Sequence, residues 1–387
     1  MRGESRARKV GLSLGIVFCV LLANASTLCG QGLDNPWFVR AGISPAHVLP
    51  STPFGLNAQG ETVDWVPDLT VEIGRQTNGN EDWHHLYGLP SYGFGVSLAQ
   101  FENGAKNGRP LEAYTFFSWP FARLTDRMAV TTDFGMGLSW DWQEVLGSDL
   151  NARIDWGFYL RYLATPRTTV FTGIDFTHRS NGGVVQPDKG INVLGPKVMV
   201  QYGFGRERPK TPARSASAAP SPQFQPQWEL LVGGAAGLKN VIEQRSPMLR
   251  HDFGVFHATA ALQRQFYRFG KIAGGTDVTY DGGTGAVGGS VNGLTTEWRA
   301  APVERWAIGM YGGYEHIIGR FSVFVHAGYN VARGFDGEAS VPRLYQRFGW
   351  RYRFSDRFWG TVAIRSIDGH KADFLEVGAG YRIRLSS

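Results

Sequence analysis

Cysteine is nearly missing from this chain. Among 387 residues only Cys19 and Cys29 occur, and both fall in a segment that reads as a secretory signal. Arg2, Arg6, Arg8 and Lys9 form its basic part, and residues 10–22 its apolar part. Ala23-Asn24-Ala25 is an A-x-A cleavage site, with Cys29-Gly30 as a later alternative. The apolar part is short for an uncleaved anchor, and Thr27-Leu28 is the wrong pattern for a lipoprotein signal at Cys29. Cleavage after Gly30 leaves no thiol. That excludes disulfides and thiol catalysis, and it suits passage through an oxidising periplasm. Long apolar runs are lacking too. Mean hydropathy is -0.20, and nothing after the N-terminus is long enough for a spanning helix. The net charge of +6 comes with arginines scattered along strands. It implies modest attraction to anionic surfaces and no nucleic-acid partner. No strong internal repeat is visible.

Metal and cofactor signals are equally thin. Asp82-x-His84-His85 has no further matching ligands and reads as a loop. His370, Asp373 and Glu376 share no single face, and Glu315, His316 and His326 fit lumen or girdle positions. The Gly-rich stretch from Asp281 to Gly285 precedes no helix, so it is a loop and not a phosphate cradle. No metal and no cofactor are expected.

What the chain has is glycine, 51 residues of it, and 13% aromatics, arranged with a period of two. From Met128, residues Val130, Thr132, Phe134, Met136, Leu138, Trp140 and Trp142 alternate with Ala129, Thr131, Asp133, Gly135, Gly137, Ser139 and Asp141. Segments starting near Arg153 and Leu344 repeat the pattern. One face is apolar and aromatic; the other is Gly, Asp, Arg and Ser. Such segments of roughly ten residues mark an all-β, transmembrane antiparallel β-barrel. A soluble sandwich or lipocalin-like barrel would carry more Lys and Glu on its polar face. Tryptophans near strand ends fit an aromatic girdle.

Connection lengths alternate. Tight ones fall at residues 120–124, 165–168, 267–270, 318–320 and 355–357. Long or Gly-rich ones fall at 43–67, 143–149, 179–190, 238–252, 281–301 and 334–340. Short periplasmic turns and longer external loops alternate in this way, which places 179–190 outside the cell. Two connections break the rule: 77–90 is long on the short side, and 207–225 is Pro- and Ser-rich. The expected layout is a signal over 1–30, a barrel half carrying the site over 31–206, a periplasmic linker over 207–225, and a second half over 226–387. Two eight-stranded halves or one barrel of about 16 strands would both serve. One seam is simpler than two, so the second half is expected to complete one barrel, its last strand pairing with the first.

The chemistry gathers at the 179–190 hairpin. On the strand entering it, Thr172, Ile174, Phe176, His178 and Ser180 share a parity. On the strand leaving it, Asn192 shares one with Leu194, Val198 and Val200. His178 and Ser180, at i and i+2, are adjacent on one face, as a serine nucleophile and its base must be. Asn192 across the hairpin can accept from the imidazole N–H. Asn181 and the backbone of Gly182 and Gly183 are candidate oxyanion donors. The alternative is plain turn chemistry, since Asn-Gly is a strong hairpin signal.

His178-x-Ser180-Asn181, followed by Gln186-Pro187-Asp188-x-Gly190-Ile191, resembles the active-site motif of the outer-membrane lipid A 3-O-deacylases. The longer bacterial group is called acyloxyacyl hydrolase-like. The compact family corresponds to residues 37–205. The ending His370-Lys371-Ala372-Asp373-Phe374-x-Glu376-x-Gly378 is similar to that of longer relatives. The resemblance implies that His178 is the general base, Ser180 the nucleophile, Asn181 an oxyanion-hole residue, and Asn192 the group that orients His178. An acid is expected where Asn192 stands. An amide fills that role in Cys-His-Asn enzymes, but it does not stabilise an imidazolium as a carboxylate does, so the departure implies a slower or inactive enzyme.

The implied function is a serine esterase of the bacterial outer membrane that removes an ester-linked acyl chain from lipid A or a related surface lipid. Its partners are lipopolysaccharide, membrane lipid and a possible second copy of the chain. Ile174, Phe176 and Leu194 are candidates for an acyl groove, with Val198 beyond them. Arg179 and Lys189 are candidates for phosphate contacts. The rival is a porin or transport barrel without enzymatic activity.

Overall fold

The computed structural model describes residues 37–49, 64–101, 108–142, 146, 148–183, 190–204, 225–242, 250–291, 294–337, 339–367 and 371–385. The expected signal and nearly all of the linker lie outside them. No helix among the described residues is long and apolar enough to cross a membrane.

Eight strands make a closed antiparallel barrel: β1 (Trp37–Val48), β2 (Trp65–Gln76), β3 (Ser91–Ala99), β4 (Gly108–Arg123), β5 (Met128–Trp142), β6 (Asn151–Leu163), β7 (Thr168–Ser180) and β8 (Ile191–Phe204). A second closed barrel follows, from β9 (Trp228–Ile242), β10 (Arg250–Tyr267) and β11 (Gly270–Asp281). It continues with β14 (Trp306–Ile318), β15 (Phe321–Arg333), β16 (Leu344–Arg353), β17 (Phe358–Ile367) and β18 (Lys371–Leu385). Between β11 and β14, β12 (Val287–Val291) and β13 (Leu294–Trp298) form a separate hairpin where the sequence suggested only loop.

The expectation of one large barrel is corrected here. β18 does not pair with β1. Trp37 lies opposite Phe204 and closes the first seam; Trp228 lies opposite Leu385 and closes the second. Eight strands with ordinary tilt enclose a space that side chains alone can fill, so each half satisfies its own edges.

Alternation decides which side chains face where. Outward residues are apolar and stay exposed: Phe94 at 68%, Ile174 at 58% and Trp156 at 53%. A belt this large is untenable in water and natural in lipid. Inward residues are charged and buried. Glu112 receives Arg153 and Arg179, the latter through Nε at 2.5 Å. Arg40 pairs with Glu72 and with Asp133 at 2.7 Å. In the second barrel Lys271 and Arg382 share Glu229 at 2.6 and 2.9 Å, and Arg347 pairs with Glu376. Arg153, Arg179, Tyr159 and Tyr345 are among the largest fully buried side chains. Packed lumens of this kind do not favour an open pore.

Connections at one end are tight, for example between β4 and β5, β6 and β7, and β14 and β15. The long exception between β2 and β3 is now explained. It carries a one-turn helix, α1 (Asp82–Leu86), where a loop was expected around His84 and His85. No metal-binding group of His, Cys, Asp and Glu occurs among the described residues. Just after α1, Tyr87 docks on the second barrel. Its hydroxyl donates to the Ile317 carbonyl at 2.6 Å. With its one proton so used, its oxygen accepts from His316 Nε2 at 2.8 Å. Its ring meets Phe117 and Trp119 edge-on at 5.6 and 5.1 Å. Tyr87→Phe removes two partly buried hydrogen bonds and is expected to destabilise the assembly by about 1–2 kcal/mol. Urea unfolding of the refolded full chain measures this; an unchanged midpoint means the contact adds no stability.

Candidate active site

The site is built at the long-loop end of β7 and β8. Register places His178 directly opposite Asn192, both facing outward, as their parity requires. His178 Nδ1 lies 2.7 Å from Asn192 Oδ1. An amide oxygen only accepts, so the proton sits on Nδ1. His178 Nε2 is left as an acceptor, 3.1 Å from Ser180 Oγ. The three sequence-derived candidates therefore meet in one relay, with the serine hydroxyl donating to the imidazole and the imidazole donating to the amide. This arrangement makes a hydroxyl oxygen nucleophilic as its proton leaves.

Surrounding groups hold the relay in place. Gly190 adopts a left-handed conformation (φ 55°), and a Cβ there would lie 3.2 Å from His178 Cε1. A side chain there would crowd the ring and strain the backbone, which glycine avoids. Next to it, Ile191 points inward into an apolar plug with Ala46, Val48, Phe101, Trp142, Leu146 and Val193. The plug fixes the start of β8 and hence Asn192. It also fixes Leu146, whose carbonyl accepts from Asn181 Nδ2 at 2.7 Å. Asn181 Oδ1 in turn accepts from the Gly183 N–H at 3.0 Å. The Asn181 side chain thus braces the turn after the serine.

Ile174 and Leu194 stand on the lipid-facing wall below His178, 58% and 40% exposed, with Phe176 half-buried beside them. Their line of apolar surface leads away from the serine into the membrane.

One candidate is moved. Arg179 does not reach toward a headgroup. It is fully buried in the lumen, bonded to Glu112 and, at 3.2 Å, to Asp68. Alternation requires this: a residue between two outward ones must face inward. Lys189 lies outside the described residues. Asp373 and Glu376 face the lumen, paired with Lys239 and Arg347; His370 lies outside the described residues. His326 stacks on Tyr311 at 4.6 Å inside the second barrel. Leu146 and Gly190 were missed by motif reasoning. Gly190 stood within the motif, and its place beside His178 was the available signal; Leu146 carried none.

Residues 69–202 match the family model described as lipid A 3-O-deacylase (PagL). Residues 226–385 match the one described as acyloxyacyl hydrolase, C-terminal domain. No curated protein matches. Among solved structures, the outer membrane enzyme PagL is 18% identical, covering 43% of this chain and 98% of its own, with a TM-score of 0.28. The NanC porin is 9% identical over 90% of this chain and 100% of its own, at 0.17. The P. putida toluene transporter TodX is 11% identical over 92% and 91%, at 0.19.

Proposed function

The chain belongs to the lipid A 3-O-deacylase and acyloxyacyl hydrolase family of the bacterial outer membrane, and we propose that it is a serine esterase cleaving an ester-linked acyl chain from lipid A or a related surface lipid. The family is one of ester hydrolases. The observation that carries the finer reading is the Ser180–His178–Asn192 relay, at 3.1 and 2.7 Å, on the lipid-facing wall of the barrel. Ser180 Oγ attacks the ester carbonyl as His178 Nε2 takes its proton. His178 then returns the proton to the departing sugar oxygen, and water releases the acyl-enzyme by the same route. Asn192 fixes the tautomer. The proposed oxyanion donors are Asn181, through the Nδ2 proton not given to Leu146, and the Gly182 N–H. Ile174, Phe176 and Leu194 take the acyl chain. A lipid need not leave the membrane to reach such a site. The porin alternative is disfavoured by the packed lumens.

Mass spectrometry of lipid A from cells with and without the protein tests this reading. The expected result is a species lighter by one acyl chain only when the protein is present. Identical spectra, together with stepwise conductance of the purified protein in planar bilayers, would sink it. Asn192→Asp supplies the carboxylate that this relay lacks. It should raise the rate of acyl release by about 10-fold, because a carboxylate stabilises the imidazolium that forms as Ser180 loses its proton and an amide does not. A rate that stays level or falls would remove Asn192 from the relay.

A further inference from the structure

Ser180 faces outward, yet it is only 7% exposed. The turn that follows it lies against the second barrel. The two residues that follow Asn181 turn back through left-handed conformations, Gly182 at φ 68° and Gly183 at φ 79°. A methyl group on Gly182 would lie 3.4 Å from Ile364 Cδ1 and 3.9 Å from Leu375 Cβ. One on Gly183 would meet the Ala372 carbonyl oxygen at 3.1 Å. β17 and β18 therefore abut the turn beside the nucleophile.

This contact is the outer end of a seam whose inner end is Tyr87 against His316 and Ile317. On the first barrel, strand register carries a line from Trp119 through Thr132, Met136 and Ile154 to Ala152, opposite Ser180. On the second it runs from His316 through Val323, Trp350 and Phe348 to Ile364 and Leu375. Outward residues on these lines, Phe134, Met136, Ile154, Phe348, Trp350 and Ile364, are half-buried. The indole Nε1 of Trp350 is buried. Outward residues elsewhere include well-exposed ones: Phe158 is 52%, Val325 50% and Val377 59% exposed. The barrels lie side by side with the relay at the outer mouth of their seam.

We propose that the second barrel supplies one wall of the substrate site, and that Ile364 and Leu375 are specificity-determining residues that meet the acyl chain nearest the scissile ester. The proposal rests on Ser180 being the nucleophile. The β8 flank, with Leu194 exposed, is the side open to lipid. Ile364 and Leu375 close the other side with aliphatic surface, which an acyl chain can satisfy and a phosphate or sugar cannot. The wall is fixed through two places of contact far apart along the seam, so it limits chain placement without moving.

The test uses the full chain carrying Ser180→Ala in vesicles of outer-membrane lipid, with lipid A bearing a photoreactive diazirine near the ester end of its acyl chains. Irradiation should label Ile364 and Leu375 several-fold more than Val325 and Val377, which face lipid on the same barrel. Ile364→Trp and Leu375→Trp should each lower that labelling. In the protein with Ser180 intact they should also shift released acids toward shorter chains, raising KM more than they lower kcat. Even labelling of all four positions, or unchanged labelling and chain selection in both tryptophan variants, overturns the proposal. Failure of the underlying reading shows separately, as undiminished acyl release by the Ser180→Ala protein.

Discussion

Replacing Ser180 with alanine should lower acyl release by at least about 10³-fold, because a relay without its nucleophile keeps only binding and oxyanion stabilisation. The fold should not change. Ser180 ends β7, its Oγ meets the His178 ring at 3.1 Å, and alanine keeps the backbone register opposite Ala152. The measurement is free fatty acid released from lipid A vesicles, alongside the heat-dependent gel shift of a folded barrel. Normal migration with lost release is the expected pair. Retained release removes Ser180 as nucleophile, whatever the geometry.

Removing Glu112 should damage both stability and activity. Glu112 is fully buried and accepts from Ser97 Oγ at 2.5 Å, Ser139 Oγ at 2.9 Å, Arg153 and Arg179. Glu112→Ala leaves two buried guanidinium groups short of their main counter-charge. Asp155, at 2.9 Å from Arg153, and Asp68, at 3.2 Å from Arg179, compensate only in part. Breaking such a buried pair costs about 3–5 kcal/mol. The loss reaches the site because Arg179 lies between His178 and Ser180. Its inward anchor is what keeps both neighbours turned outward. A lowered urea midpoint and a lowered kcat together support this link. A variant with wild-type midpoint shows that the cluster stores no net stability. A destabilised variant with full kcat shows that the site stands without it.

Much of this was legible in the sequence because strands have a period of two. Parity alone put His178, Ser180 and Asn192 on the outer face, and register then made His178 and Asn192 direct neighbours. The same parity assigned Arg179 to the lumen. Its reading as a headgroup contact treated the hairpin as loop, whereas β7 runs through to Ser180. The number of barrels was less legible. Hydrophobic alternation is identical in either closure, and seam pairing such as Trp37 with Phe204 depends on tilt and curvature, which no local pattern records. α1 escaped notice because a single turn has no periodicity to detect. The contact of Gly182 with Ile364 and Leu375 joins segments far apart in the chain, and nothing near either one announces it.

Two seams instead of one also bear on how the chain reaches its native state. An eight-stranded barrel returns the polypeptide to the membrane side on which it started. The second unit therefore begins where the first ended and inserts in the same orientation, with its long loops beside those of the first. Closure of the first unit needs only residues 37 and 204 to meet. Closure of the second needs 228 and 385. A single cylinder would have needed the two ends of the whole chain to find each other before any edge was sealed. Shorter sequence separation between pairing strands favours faster folding, and each unit hides its unpaired edges independently. The first barrel, with its relay already assembled between neighbouring strands, can close before the second is finished, and the docking of Tyr87 and of the Gly182 turn is then an association of two completed cylinders.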